Sequence, residues 1–152
     1  MPPNTDTPHL TAGARTRLRN LRVPIMWGAV VGVIQALSPF GFWWLSPATV
    51  YALELTLIAA VYIGFSVADG RGKVIAVECT VAAAFVITGA TAITGPAWLI
   101  VIGLAGHGLK DLWQQHTQFV ANTRWWPPFC AVVDWVVAAI LTVVMTAGVD
   151  LN

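Results

Sequence analysis

Several ionisable residues lie inside apolar stretches of this chain, among them Glu54, Glu78, His107, Asp111 and Asp134. A charge near the centre of a bilayer costs roughly 2.5 to 3.5 kcal/mol or more, so each such residue calls for a partner or a purpose. The densest group falls within AGHGLKDLWQQH, residues 105–116. There the i, i+4 spacing puts His107 and Asp111 on one helical face, with Gln114 and Gln118 continuing the stripe. His116 follows His107 by nine residues, about 180° round a helix at ~3.6 residues per turn, so one straight helix does not bring both imidazoles to a common metal. His116 is expected at an interface beside Trp113.

Imidazole, carboxylate and thiolate together could bind Zn²⁺ or iron. Cys130 precedes Asp134 by four residues, and Cys79 follows Glu78 directly. The spacing signals are weak, because His-x-x-x-His, Cys-x-x-Cys and Glu-x-x-His are all lacking. His107 and Asp111 are the candidate metal ligands, and no confident cofactor follows. A second reading makes His107 a switchable proton carrier at the bottom of a cytoplasm-facing cavity. A transporter would then need Glu54 and Gln35 to extend a polar path through the outer half, whereas an enzyme would need no such continuation. A third reading has His107 and the acids hydrogen-bonding to one another, to Lys110 and to Arg124, fastening the later helices together. The expected polar cluster is therefore His107, Asp111, Asp134, Glu78, Lys110 and Arg124.

The stretch GHGLKDLWQQHTQFVANTRWWPPFCAVVDW, Gly106 to Trp135, resembles a signature of small bacterial membrane proteins that carry His-Gly-x-x-Asp on a late helix. No activity is established for that group, so the resemblance implies no substrate. It implies that His107, Asp111, Arg124, Trp125, Trp126 and Asp134 act as one unit.

Helices must position these groups, and composition says in what solvent. Of the 152 residues, 57% are hydrophobic and 10% charged, with a mean hydropathy of +0.73. Soluble domains carry about 25% charged residues. A spanning helix needs about 20 mainly apolar residues, and five stretches qualify, at about 23–45, 48–68, 74–93, 96–117 and 128–148. The expected fold is an all-α integral membrane bundle of about five transmembrane helices, without internal repeats. Pro24, Pro47, Pro96 and the Pro127-Pro128 pair stand at expected helix starts, where a missing N–H costs nothing. Ser46 and Thr94 are candidate caps. Pro39 and Gly41 break the first stretch, so that helix kinks there or ends near Leu37 and leaves Phe42, Trp43 and Trp44 in the interface.

Four of the eight basic residues are Arg15, Arg17, Arg19 and Arg22, in a polar stretch read as a disordered cytoplasmic tail over 1–22. Five spans place Arg71, Lys73, Lys110 and Arg124 on that same side, as the positive-inside rule requires. Dropping the fourth span would send Arg124 outside. The expected topology is an inner-membrane, multi-pass chain with its N-terminus cytoplasmic and a short outer tail at 149–152. Glu78, Asp111 and Asp134 then share the inner third of the bilayer, with Glu78 and Asp134 about one turn into their helices and His107 a turn deeper than Asp111. Glu54 lies towards the outside.

Gly28-x-x-x-Gly32 and Ala105-x-x-Gly108 allow close helix approach, within the chain or in a homo-oligomer. Two cysteines in apolar stretches give no disulfide framework. Phosphate loops, nucleophile elbows and zincin motifs are missing, and the Arg-rich start reads as membrane-flanking, not nucleic-acid-binding. Apart from the bilayer, a homo-oligomer or a larger membrane complex is the expected partner. These features favour a structural or accessory membrane protein, then a small proton-linked or solute transporter, then a membrane-embedded metalloenzyme.

Overall fold

The computed structural model describes residues 12–152, with side chains from Leu21 onward. It is an all-α bundle with helices α1 (Ala12–Ala36), α2 (Pro47–Asp69), α3 (Gly72–Thr94), α4 (Trp98–Thr117) and α5 (Trp126–Thr146), and a short 3₁₀ turn, Ser38–Phe40, after α1. Helices α2, α3 and α5 are long and apolar enough to cross a membrane. The apolar part of α1, Leu21–Ala36, is shorter.

Helix α4 escapes a hydropathy criterion for a physical reason. Its buried face carries His107, Asp111 and Gln114, while Ile102 and Leu109 on its outside are each 62% exposed. Averaging the two faces hides an inside-out helix. The outer surface of the bundle is apolar as well, with Ile34, Leu57, Ile87 and Val143 63–67% exposed, while within a mostly apolar interior Glu78, His107, Asp111, Gln114 and Asp134 are at most 1% exposed. Water would penalise such a surface, and hydrocarbon would not.

Several expected boundaries hold. Ser46 caps α2 by accepting from the Thr49 N–H at 3.3 Å, and Pro47 occupies the first turn. Pro127 and Pro128 open α5. Helix α1 ends at Ala36, so the second alternative at Pro39 is the one realised, and Phe40, Trp43 and Trp44 are 61–82% exposed beyond it. Two expectations need correction. Pro24 lies inside α1, not at its start, because the helix already runs from Ala12. Thr94 closes α3 and caps nothing; Ala97 precedes α4 without a side-chain cap. Of the stretch read as a disordered tail, residues 1–11 lie outside the described residues, and Ala12 onward is helical.

The packing follows from small residues. At Gly28 an added Cβ would lie 2.6 Å from the Phe129 carbonyl oxygen and 2.9 Å from Val132 Cβ; at Gly32 it would lie 2.9 Å from Val136 Cβ. The Gly-x-x-x-Gly face of α1 therefore seats on α5. Helix α2 pairs with α3, and α4 packs on α5 and α3. Between the two halves, Leu55, Ile100, Leu104, Val137 and Leu141 form an apolar plug, all at most 1% exposed.

Two clips close the ends. At one end Asp69 and Arg71 pair at 2.6 and 2.7 Å, Arg71 donates to the Phe119 carbonyl at 2.7 Å, and the Ala121 N–H donates to Asp69 at 2.7 Å. Asp69 beside it raises the Arg71 pKa above its ordinary value, so the guanidinium stays charged. Gly70 turns the chain there at φ +80°, a left-handed conformation that suits glycine. At the opposite end the Ala48 N–H donates to the Leu151 carbonyl at 2.9 Å, and Asn152 donates to the Gly95 carbonyl at 3.2 Å. The last residues, expected as a short outer tail, dock on the bundle through these bonds, with Leu151 buried.

Candidate functional site

The site is built where α4 and α5 cross, and α2 and α3 close it. The His107 Nδ1 lies 2.8 Å from Asp134 Oδ2 and 3.5 Å from Asp111 Oδ2. One ligand atom from each of these three residues falls within 4.8 Å of the others. The α4 pair was readable from its i, i+4 spacing. Asp134 joins from another helix, and it sits deeper than expected because α5 starts at Trp126. Eight residues at ~1.5 Å rise place it about 12 Å into its helix, level with His107 near the middle of α4.

A second layer lies beside this triad. Lys110 Nζ is 2.7 Å from Glu78 Oε2 and 3.2 Å from the centroid of the Tyr62 ring. The ring faces the ammonium with its negative quadrupole, which offsets some of the lysine's desolvation. The approach to Glu78 is a charge contact without an aligned hydrogen bond. Tyr62 and Phe85 also flank the imidazole, with ring centroids at 5.9 and 5.0 Å. Both aromatics were missed in the sequence. The available signal was Tyr62 itself, one of two tyrosines, with a hydroxyl that a spanning helix must place somewhere.

Gly108, between His107 and Leu109, has a packing reason. A Cβ there would collide with the indole of Trp135, which lies over the glycine and approaches the Ala105 carbonyl at 3.4 Å. The close α4–α5 contact is what brings Asp134 to His107.

Not every expected residue joins. Arg124 is exposed in the loop before α5 and makes no ion pair among the described residues. Gln118 caps α4 in a left-handed conformation at φ 51°, outside the stripe that Gln114 continues inward. Cys130 is buried one turn before Asp134, whereas Cys79 is exposed. His116 is exposed in the last turn of α4, near Trp113, as expected. Glu54 and Gln35 do not extend the site: the apolar plug separates them from it, and both line a cleft between α1 and α2 instead.

The centre is short of hydrogen-bond partners. Three carboxyl groups, Glu78, Asp111 and Asp134, share this buried centre with one lysine and one imidazole. Both Asp111 oxygens, Asp134 Oδ1, Glu78 Oε1, the Tyr62 hydroxyl and both polar atoms of Gln114 are buried without a hydrogen-bond partner. Buried polar groups are ordinarily paired, so such a concentration marks a place that takes up positive charge or donors.

The donor set fits a metal. The 2.8 Å approach of His107 Nδ1 to Asp134 Oδ2 is itself a hydrogen bond, and one donor atom from each of the three residues lies within 4.8 Å of the others. One imidazole with two carboxylates suits zinc or iron. No family model matches the chain, and neither a curated protein nor a solved structure is significantly similar to it.

Proposed function

We propose that this chain is a structural or accessory protein of the bacterial inner membrane, spanning it five times, whose helices are fastened by a divalent metal held by His107, Asp111 and Asp134. The observation that carries this reading is the sealed His/Asp/Asp centre: the three residues are at most 1% exposed, and a plug of apolar side chains lies directly above them. A transporter needs a polar path continuing across the bilayer, and an enzyme needs room for a substrate beside its reactive groups. A fastening site needs neither. Bound there, the metal would supply positive charge and tie α4 to α5, while Lys110 and Glu78 join α3 to α4 beside it.

The orientation follows from charge. Arg71, Lys73 and Arg124 lie at the end where α2 meets α3 and α4 meets α5, and the basic start of α1 belongs to the same side. The positive-inside rule makes that side cytoplasmic and the C-terminus external. The exposed apolar side chains along the helices suit contact with lipid or with further membrane helices. The motif His-Gly-x-x-Asp supplies two of the three side chains that would hold the metal, His107 and Asp111.

Chelation tests the fastening role. Thermal unfolding of detergent-purified protein should shift to lower temperature on adding a strong chelator, and return on restoring zinc or iron. The same treatment should leave Asp134→Asn unmoved, as this variant already lacks the site. A wild-type midpoint unaffected by chelator and by added metal would sink the proposal.

A further inference from the structure

The cleft on the far side of the apolar plug holds a second constellation, unconnected with the triad. It is about 520 Å³, lined by Val31, Ile34 and Gln35 of α1, Ser38 and Phe42 just after it, and Glu54 of α2. The walls are apolar. The polar groups are all oxygen-bearing, and Gln35 and Ser38 line the cleft together with the Glu54 carboxyl. Glu54 has no ion-pair partner among the described residues. Its Oε2 and the Ser38 hydroxyl are buried and unpaired.

Helix α1 makes this cleft by stopping short. Its final carbonyl, at Ala36, accepts from the Tyr51 hydroxyl at 2.7 Å, a turn into α2. The chain then covers the outer side through the 3₁₀ turn. The negative end of the α1 dipole thus terminates inside the apolar layer, beside a lone carboxylate. Because α1 leans on α5 and α2 on α3, the two helices are joined there chiefly by the Tyr51–Ala36 hydrogen bond and the 3₁₀ turn.

We infer that this cleft is a binding site for a monovalent alkali cation, sodium-like in size, coordinated by Glu54, Ser38, Gln35 and the carbonyl end of α1. A carboxylate, a hydroxyl, an amide oxygen and main-chain carbonyls are hard donors that suit a hard cation and offer no soft or nitrogen ligand to a transition metal. Interrupted membrane helices use their carbonyl ends for sodium in the same way.

The test is thermal unfolding of the full, detergent-purified chain in sodium, potassium or choline chloride at equal ionic strength. Choline carries the same charge but cannot shed a hydration shell into a ring of oxygens. A midpoint that rises saturably with sodium or potassium over choline is expected, the increment vanishing in Glu54→Gln and shrinking in Ser38→Ala. The increment is the readout, because Glu54→Gln removes a solitary buried charge and can raise stability by itself. If Glu54→Gln does not fold, Ser38→Ala and Gln35→Ala carry the same comparison. Equal midpoints in the three salts would overturn the inference, and so would an alkali-specific increment that survives in Glu54→Gln, or in both other variants. Because the triad is untouched by these substitutions, chelator sensitivity should persist in all of them, which separates failure here from failure of the metal reading.

Discussion

Single side chains set the energetics of the centre, and their substitutions should differ in kind. Tyr62→Phe keeps the ring over Lys110 and loses a hydroxyl that has no partner. Its midpoint in thermal unfolding should therefore stay close to wild type, within about 1 kcal/mol. Tyr62→Ala removes the ring from a fully buried position, and about 3–5 kcal/mol should be lost, as for other buried aromatics. Equal effects of the two would mean that the hydroxyl, not the ring, matters. His107→Ala should cost about 3–5 kcal/mol, because it leaves Asp111 and Asp134 buried together without the imidazole. Spacing alone made His107 and Asp111 legible as a pair. It could not reveal Asp134 as the closer partner at 2.8 Å, since that contact depends on how two helices cross. Arg124 misled for the opposite reason: its position in the chain was close to the cluster, but the loop turns it outward.

At the scale of elements, glycines decide which helices meet. Gly28→Leu should displace α1 from α5, because even a methyl group there would lie 2.6 Å from the Phe129 carbonyl. Overpacking of this kind costs typically 1–3 kcal/mol and more for a large side chain. Limited proteolysis in detergent should then cut at the loop after α1 sooner than in wild type, and unchanged digestion would contradict the packing described. Gly108→Ala should similarly push Trp135 aside and loosen α4 from α5, with a lowered unfolding midpoint as the readout. Such small-residue pairs were visible in the sequence, whereas their partners were not. The same limit applied to α1. Its break near Leu37 was legible from Pro39 and Gly41, but not that the end would meet Tyr51 and turn Glu54 away from the interior. Pro24 reads as a helix start only if the residues before it are not helical, and here they are.

Over the whole molecule the solvent was the most legible feature, because too few charges were available to cover a water-facing surface. What stayed hidden was how one chain divides its polar groups: three layers follow one another, a basic end closed by Asp69 and Arg71, a polar centre, and an apolar plug. If the reading of orientation is right, reporter fusions should place residues near Arg71 and Arg124 on the cytoplasmic side and the C-terminus outside, and the reverse pattern would refute it. The central claim is that the buried triad holds a metal. Elemental analysis of detergent-purified protein by inductively coupled plasma mass spectrometry tests it most directly, comparing wild type with His107→Ala and Asp134→Asn variants shown by circular dichroism to remain helical. We expect near-stoichiometric zinc or iron in the wild type and its loss from both variants. Metal-free wild-type protein, or metal retained equally in the variants, would contradict the account.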